Sequence, residues 1–222
     1  MAAELDRREE TLAWPPGRNE PCWCGSGLKY KRCCAAAGDE AGCLAGLSGR
    51  VLEIGAGTGA NFGHFPVGVT EVVATEPEPF LRQRARQAAA DAPVPVRVVD
   101  ATAEVTPFED AEFDAAVASL VLCSVSDPAG ALRELYRVIR PGGELRFNEH
   151  VRSRSSSAAR IQTTADRLGW PLISGGCHLA RDTEAMIREA GFQITSLKRY
   201  RFRIPPLDPP KAHIIGAARK LA

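Results

Sequence analysis

The sequence predicts an α/β fold: a mostly parallel, doubly wound sheet of seven strands that ends in an antiparallel hairpin and is preceded by a small cysteine knuckle. Three observations carry that expectation. From Val51 onward, short apolar runs alternate with stretches of helical period, the pattern of stacked strand-helix units and a parallel sheet. The first run, Val51-Leu52-Glu53-Ile54, passes directly into Gly55-Ala56-Gly57-Thr58-Gly59. Four cysteines crowd between Cys22 and Cys34, too close together for a disulfide framework. The chain of 222 residues is 45% hydrophobic and 25% charged, ordinary globular values. At ~150 residues per domain it holds one enzyme-sized domain and an appendage, which excludes two full-sized domains.

In chain order, residues 1–20 form a charged lead with at most one short helix, and its composition lacks the apolar stretch of a signal peptide. Residues 21–36 form the knuckle, 37–49 an Ala/Gly-rich linker, and 50–222 the main domain. Strands are expected at 50–54, 71–74, 95–99, 113–120 and 144–148. Between the last two, Asp127 as N-cap and Pro128 in the first turn open a helix with Leu132, Leu135, Tyr136 and Ile139 on one face. Pro141-Gly142-Gly143 stops it. A further helix at 183–190 closes on Gly191. Two strands, 193–204 and 212–218, then flank Pro205-Pro206-Leu207-Asp208-Pro209-Pro210 as a terminal hairpin.

The glycine loop marks a nucleotide pocket, because missing Cβ atoms let the backbone approach a ligand closely. Its third glycine follows the second by two residues, where the dinucleotide fingerprint requires three, which argues against NAD. Glu53 lies two residues before Gly55, where a carboxylate would face a cationic or amine-bearing ligand. Glu76, in Thr75-Glu76-Pro77 at the end of the second strand, stands where an acid accepts ribose hydroxyls.

On these residues, the chain from about residue 50 to its end resembles a class I S-adenosylmethionine-dependent methyltransferase. Further agreement comes from Ala101-Thr102-Ala103-Glu104, Phe113-Asp114 and Arg137-Val138-Ile139-Arg140-Pro141-Gly142-Gly143. The resemblance implies a Rossmann-like sheet and S-adenosylmethionine as cofactor. It also implies a cofactor-binding set of Glu53, Gly55, Ala56, Gly57, Gly59, Asn61, Glu76, Pro77, Asp100, Ala101 and Ser119, with Glu76 on the ribose and Asp100 toward the adenine. Asn61-Phe62, Asn148-Glu149-His150-Val151 and Gly176-Cys177-His178-Leu179 look most like the group that includes the alkyl thiol methyltransferases. That likeness implies a small, apolar thiol or similar methyl acceptor.

Cys22-x-Cys24 and, after eight residues, Cys33-Cys34 supply four thiolates, the set that closes a structural Zn2+ site with no position left for chemistry. Lys29, Lys31 and Arg32 offset the site's negative charge. The segment looks like the SEC-C motif found at the end of the SecA translocation ATPase. Two roles stay open: docking to a protein or ribosome, or stabilising the fold.

Methyl transfer from a sulfonium chiefly requires positioning, worth ~7 to 11 kcal/mol of a barrier. A thiol acceptor with a pKa of ~8.5 needs little help in losing its proton. His150, at the carboxyl end of the fifth strand and beside Glu149, is the one residue assigned to catalysis, as base, with a loop-capping role as its alternative. Cys177 and His178 are candidates for the acceptor pocket, and the segment 152–176 for a substrate cap. Cys123, His64 and His213 are read as structural. Arg199, Arg201 and Arg203 alternate with Tyr200, Phe202 and Ile204, as on a strand with one solvated face. With 28 basic and 27 acidic side chains the net charge is +1, which argues against nucleic acid as partner. No apolar run approaches the ~20 residues that span a bilayer. A cytoplasmic protein that does not engage a membrane is expected.

Overall fold

The computed structural model describes residues 10–11, 43–202 and 211–221. The knuckle, with Cys22, Cys24, Cys33 and Cys34, lies outside the described residues, as do Arg203 and Ile204. The elements are β1 (Glu10–Thr11), β2 (Gly49–Ile54), a 3-10 turn (Phe62–His64), β3 (Val69–Thr75), α1 (Pro79–Ala89), β4 (Val96–Val99), β5 (Phe113–Ser119), α2 (Pro128–Val138), β6 (Ile139–His150), α3 (Ser156–Arg167), α4 (Trp170–Ile173), α5 (Thr183–Glu189), β7 (Phe192–Phe202) and β8 (Lys211–Lys220).

All seven expected strands form. Their order across the sheet is β4-β3-β2-β5-β6-β8-β7, and the two residues of β1 add to the outer edge of β7. That edge pairing, Glu10 with Tyr200 and Thr11 with Arg201, has no counterpart in the sequence reading. The strands from β4 to β6 are parallel, whereas β8 runs antiparallel to both β6 and β7. From β2 the chain winds outward one way through β3 and β4, then returns to the other side of β2 as β5 and β6. The strand order therefore reverses between β2 and β5, and in open α/β sheets the crevice at such a reversal binds ligands at the carboxyl ends of the strands.

Alternation along the central strands sends neighbouring residues to opposite faces. Leu52, Ile54, Ala116 and Ala118 join one core cluster with Leu132 and Leu135 of α2. Val51, Ala115 and Val117 join another with Ala85 of α1. Both faces of the parallel sheet are thus covered, which is why its strands read as nearly continuous apolar runs. Leu44 and Leu47, in the stretch read as linker, are buried in the second cluster.

α2 forms as expected at its start, where the Asp127 side chain accepts from Gly130 N. It ends one residue sooner than the apolar period suggests. Ile139 is fully buried, but as the first residue of β6, where it pairs with Phe113. Truncating the helix's core contact, Leu135→Ala, is expected to cost about 2–5 kcal/mol of unfolding free energy, read from the urea midpoint. A change below about 1 kcal/mol would show that α2 does not anchor this face.

Of the alternating arginines, Arg199 does not lie on a solvated face. Arg199 is 8% exposed and pairs with Glu184 of α5, so a cation that sequence alternation places outward is covered by a helix. Tyr200, on the other face, is buried as expected.

Candidate functional site

Gly55, Gly57 and Gly59 all adopt left-handed backbone, with φ of 59°, 57° and 82°. A Cβ at Gly55 would meet Val121 at 2.7 Å, whereas one at Gly57 would meet nothing within 4 Å. Gly55 is thus demanded by packing between the β2 and β5 ends, and Gly57 opens onto the crevice. Behind the loop, Asn61 Nδ2 donates to Glu53 Oε1 at 2.6 Å, both residues being buried. Asn61 Oδ1 is buried without a hydrogen-bond partner. Such an orphaned acceptor suits a ligand's ammonium or amine.

Glu76, 6% exposed at the carboxyl end of β3, accepts from Gly57 N at 2.8 Å and from Glu78 N at 3.0 Å. Its carboxylate thereby joins the glycine loop to the start of α1. Asp100, after β4, is exposed and ion-paired with Arg82 Nη2 at 2.9 Å. Arg82 Nη1 also donates to the carbonyls of Glu76 and Pro77. Arg82 therefore links the two acids, a role that sequence reading missed because it depends on α1 facing the end of β4. Ala101 and Ser119 are half-buried at the same strand edge.

The other side of the crevice is built from the ends of β5 and β6. Glu149 and His150 do not act as a pair: consecutive strand residues face oppositely, and Glu149 is fully buried. Its carboxylate accepts from Val121 N at 3.0 Å, Leu122 N at 2.9 Å and Cys123 N at 3.1 Å. It holds the loop after β5 rather than orienting an imidazole. Arg181 Nη1 donates to Leu122 O at 2.7 Å, and His178 N to Cys123 O at 2.8 Å, so the loop is fixed from three directions.

His150 Nδ1 lies 2.9 Å from Cys177 Sγ. Cys123 completes the group: the three ligand atoms all lie within 4.8 Å of one another. Hydrogen bonding to Cys177 and burial push the Cys123 thiol up to about 12. The sequence reading of Cys123 as a small core residue is right about its burial, at 1% exposure, and misses its neighbours. His213 packs its ring 4.2 Å from that of His150 and stacks on Tyr200, whose hydroxyl donates to Asn148 Oδ1 at 2.8 Å. His178 is half-exposed, 4.0 Å from Asp166. Burial lowers the pKa of His64 from its ordinary value.

The expected cap contains α3 and α4. Asp166 of α3 accepts from Leu179 N and Ala180 N, tying the cap to the segment that carries Cys177. Ile161, Leu172 and Ile173 stand exposed on these helices and Leu168 between them. A separate cleft of about 580 Å³, with Arg152, Arg154, Arg188 and Arg199 in its wall, includes none of the expected cofactor residues. Among the described residues, no helix is long and apolar enough to cross a membrane.

Residues 52–147 match the methyltransferase domain family, and residues 18–36 match the SEC-C motif. The chain is 38% identical to thiol S-methyltransferase TMT1B of Mus musculus over 80% of its own length and 74% of the relative's. Against thiol S-methyltransferase TMT1A of Homo sapiens the identity is 34% with the same coverage. In fold it is similar to the BH2331 protein of Bacillus halodurans, with a TM-score of 0.71 at 18% identity, covering 83% of this chain and 99% of that one. A SAM-dependent methyltransferase from Methanosarcina mazei superposes with a TM-score of 0.60 at 19% identity, covering 78% and 92%.

Proposed function

Because the chain belongs to the S-adenosylmethionine-dependent methyltransferases, with thiol S-methyltransferases among its relatives, we propose that it methylates a small, apolar thiol. The observation that carries the choice of thiol is the 38% identity to TMT1B across 80% of the chain. The exposed apolar residues of α3 and α4 support an apolar acceptor approaching beneath the cap.

The residues present fit the cofactor. Gly57 leaves open the space that a Cβ would fill, and the Asn61 Oδ1 acceptor is ready for an amine. Glu53, Gly55, Ala56, Gly57, Gly59 and Asn61 would hold the amino-acid end. Glu76 and Pro77 would take the ribose, while Asp100, Ala101 and Ser119 would border the adenine. When bound, S-adenosylmethionine supplies a methyl group on a sulfonium with a neutral leaving group. The chain's own work is to hold the acceptor in line, exclude water and activate the acceptor's sulfur, which falls to His150 and Cys177 at the acceptor end.

For the SEC-C segment we propose a structural Zn2+ held by Cys22, Cys24, Cys33 and Cys34, a donor set of four thiolates that closes a tetrahedral site. Its match to the SEC-C motif favours a second role, docking the enzyme to a protein or ribosome. A reducing compartment, the cytoplasm, suits these thiolates and the described cysteines Cys43, Cys123 and Cys177, none of which is in a disulfide.

The test offers the purified chain S-adenosylmethionine with a panel of small alkanethiols, matched alcohols and amines, and ribosomal fractions. Thioether and S-adenosylhomocysteine are read by mass spectrometry. Turnover is expected with the thiols. Methylation of alcohols, amines or ribosomal material with no thioether formed would overturn the acceptor assignment.

A further inference from the structure

Resting on the thiol-methyltransferase reading, we propose that Cys123, His150 and Cys177 form a three-donor site for a thiophilic divalent metal, Zn2+, whose fourth position takes the acceptor's sulfur. The donor set is two thiols and one imidazole from three separate segments: the loop after β5, the end of β6 and the turn before α5. Zn2+ bonds sulfur at about 2.3 Å and imidazole nitrogen at about 2.0–2.1 Å, which in a tetrahedron sets donor atoms roughly 3.5–3.8 Å apart. The 2.9 Å between His150 Nδ1 and Cys177 Sγ and the 4.8 Å limit on the whole group bracket that spacing. Three protein ligands with one open position is the arrangement of catalytic zinc, unlike the four-thiolate knuckle.

The surroundings suit a cation. Glu149 lies fully buried against the Cys123 backbone, and Arg181 donates to the adjacent Leu122 carbonyl. With both cysteines as thiolates, the group carries two negative charges, which a divalent metal balances. The His150 ring is held by the packing of His213, itself stacked on Tyr200, so the imidazole is oriented before any metal arrives.

Position links the metal to the reaction. The loop carrying Cys123 includes Val121, whose side chain abuts Gly55 of the glycine loop, so the site borders the crevice at the strand reversal. As the acceptor's sulfur takes the fourth position, its S–H proton passes to water. A lone pair on that sulfur then forms the bond to the methyl carbon, while the carbon–sulfonium bond breaks and its electron pair stays with the departing sulfur. The products are a thioether and S-adenosylhomocysteine, and no oxidant or reductant is consumed. His150 thus acts as a ligand and not as a free base.

At pH 7 a thiol of pKa ~8.5 is only about 3% ionised, so holding it as thiolate raises its reactive fraction roughly 30-fold. Removing the metal should therefore lower turnover about 30-fold at pH 7. It should also restore a tenfold rise in rate per pH unit toward the acceptor's pKa, a slope absent from the loaded enzyme.

The test uses the full chain, loaded with Zn2+, desalted and assayed for metal. About two zinc per chain are expected if knuckle and pocket both fill, falling by one in Cys177→Ala and, independently, in His150→Ala. Cys22→Ser should keep the pocket zinc. In the Co2+-substituted protein, added ethanethiol should strengthen the sulfur-to-metal charge-transfer band, and should not do so in Cys177→Ala. S-Adenosylmethionine binding by calorimetry confirms that the variants fold. A metal load unchanged in both pocket variants, or a Co2+ spectrum indifferent to ethanethiol, would overturn the site. So would full thiol turnover by chelator-treated, zinc-free enzyme, which leaves thiol methylation itself standing. A confirmed metal site with no thiol turnover would instead fail the acceptor reading alone.

Discussion

Glu76→Ala is expected to weaken S-adenosylmethionine binding by about 100-fold or more. Hydrogen bonds to a charged group are worth about 1.5–3 kcal/mol each, and loss of two, one for each ribose hydroxyl, corresponds to roughly 100- to 10,000-fold in Kd. Glu76 is suited to that task because burial and two backbone donors, Gly57 N and Glu78 N, already hold its carboxylate in one place. A fixed acceptor loses little further entropy on binding. Glu76→Gln keeps one amide oxygen and should lie between wild type and alanine. Calorimetry gives the Kd, and a urea midpoint for each variant separates lost binding from lost folding. A folded Glu76→Ala protein whose Kd changes less than about threefold would remove Glu76 from the ribose.

Glu149→Ala should be the most damaging change on the acceptor side. Three buried N–H groups, of Val121, Leu122 and Cys123, lose their acceptor together. Each orphaned donor costs about 1–3 kcal/mol, so about 3 kcal/mol or more is at stake against a typical total of about 5–15 kcal/mol. Denaturant unfolding measures the loss, and a drop below about 1 kcal/mol would mean that the loop after β5 has other support.

The same residue makes stability depend on pH. Burial pushes the Glu149 carboxyl well above its ordinary value, the neighbouring Cys123 works in the same direction, and the three N–H donors oppose them. The folded protein therefore keeps the Glu149 proton to higher pH than the unfolded chain, whose glutamates titrate near ~4.3. Where the folded state binds more protons, stability falls as pH rises, and the fall ends once the folded value is passed. Glu149→Gln carries no such proton. The wild type should thus lose stability relative to this variant as pH climbs above about 4.3. A difference that stays flat or reverses would show that the N–H donors outweigh burial.

The parts of the molecule legible in the sequence are those with local causes. Asp127 and Pro128 announce α2 because an N-cap and a first-turn proline act within one turn of backbone. The loop at Gly55 to Gly59 is readable because left-handed backbone favours glycine, and three such positions fall within five residues. Where long-range packing decides, local reading goes astray. Ile139 continues a helical period yet begins a strand, because Phe113 offers it a ladder partner. Arg199 alternates outward yet is buried, because α5 brings Glu184 over it. Glu149 looks like a partner for His150 and instead serves a loop that lies 26 residues or more earlier in the chain.

By itself, then, the sequence determined the sheet, the glycine loop after β2, the SEC-C motif and, through its resemblance to a known family, the methyltransferase class. Only the tertiary structure decided that Cys123, His150 and Cys177 meet, that Glu149 turns away from His150, and that Arg82 joins Glu76 to Asp100. His150 and Cys177 stand 27 residues apart, a separation with no helical or strand period behind it. They come together because parallel pairing of β5 with β6 aligns two strand ends and the segment 152–176 returns the chain to that edge.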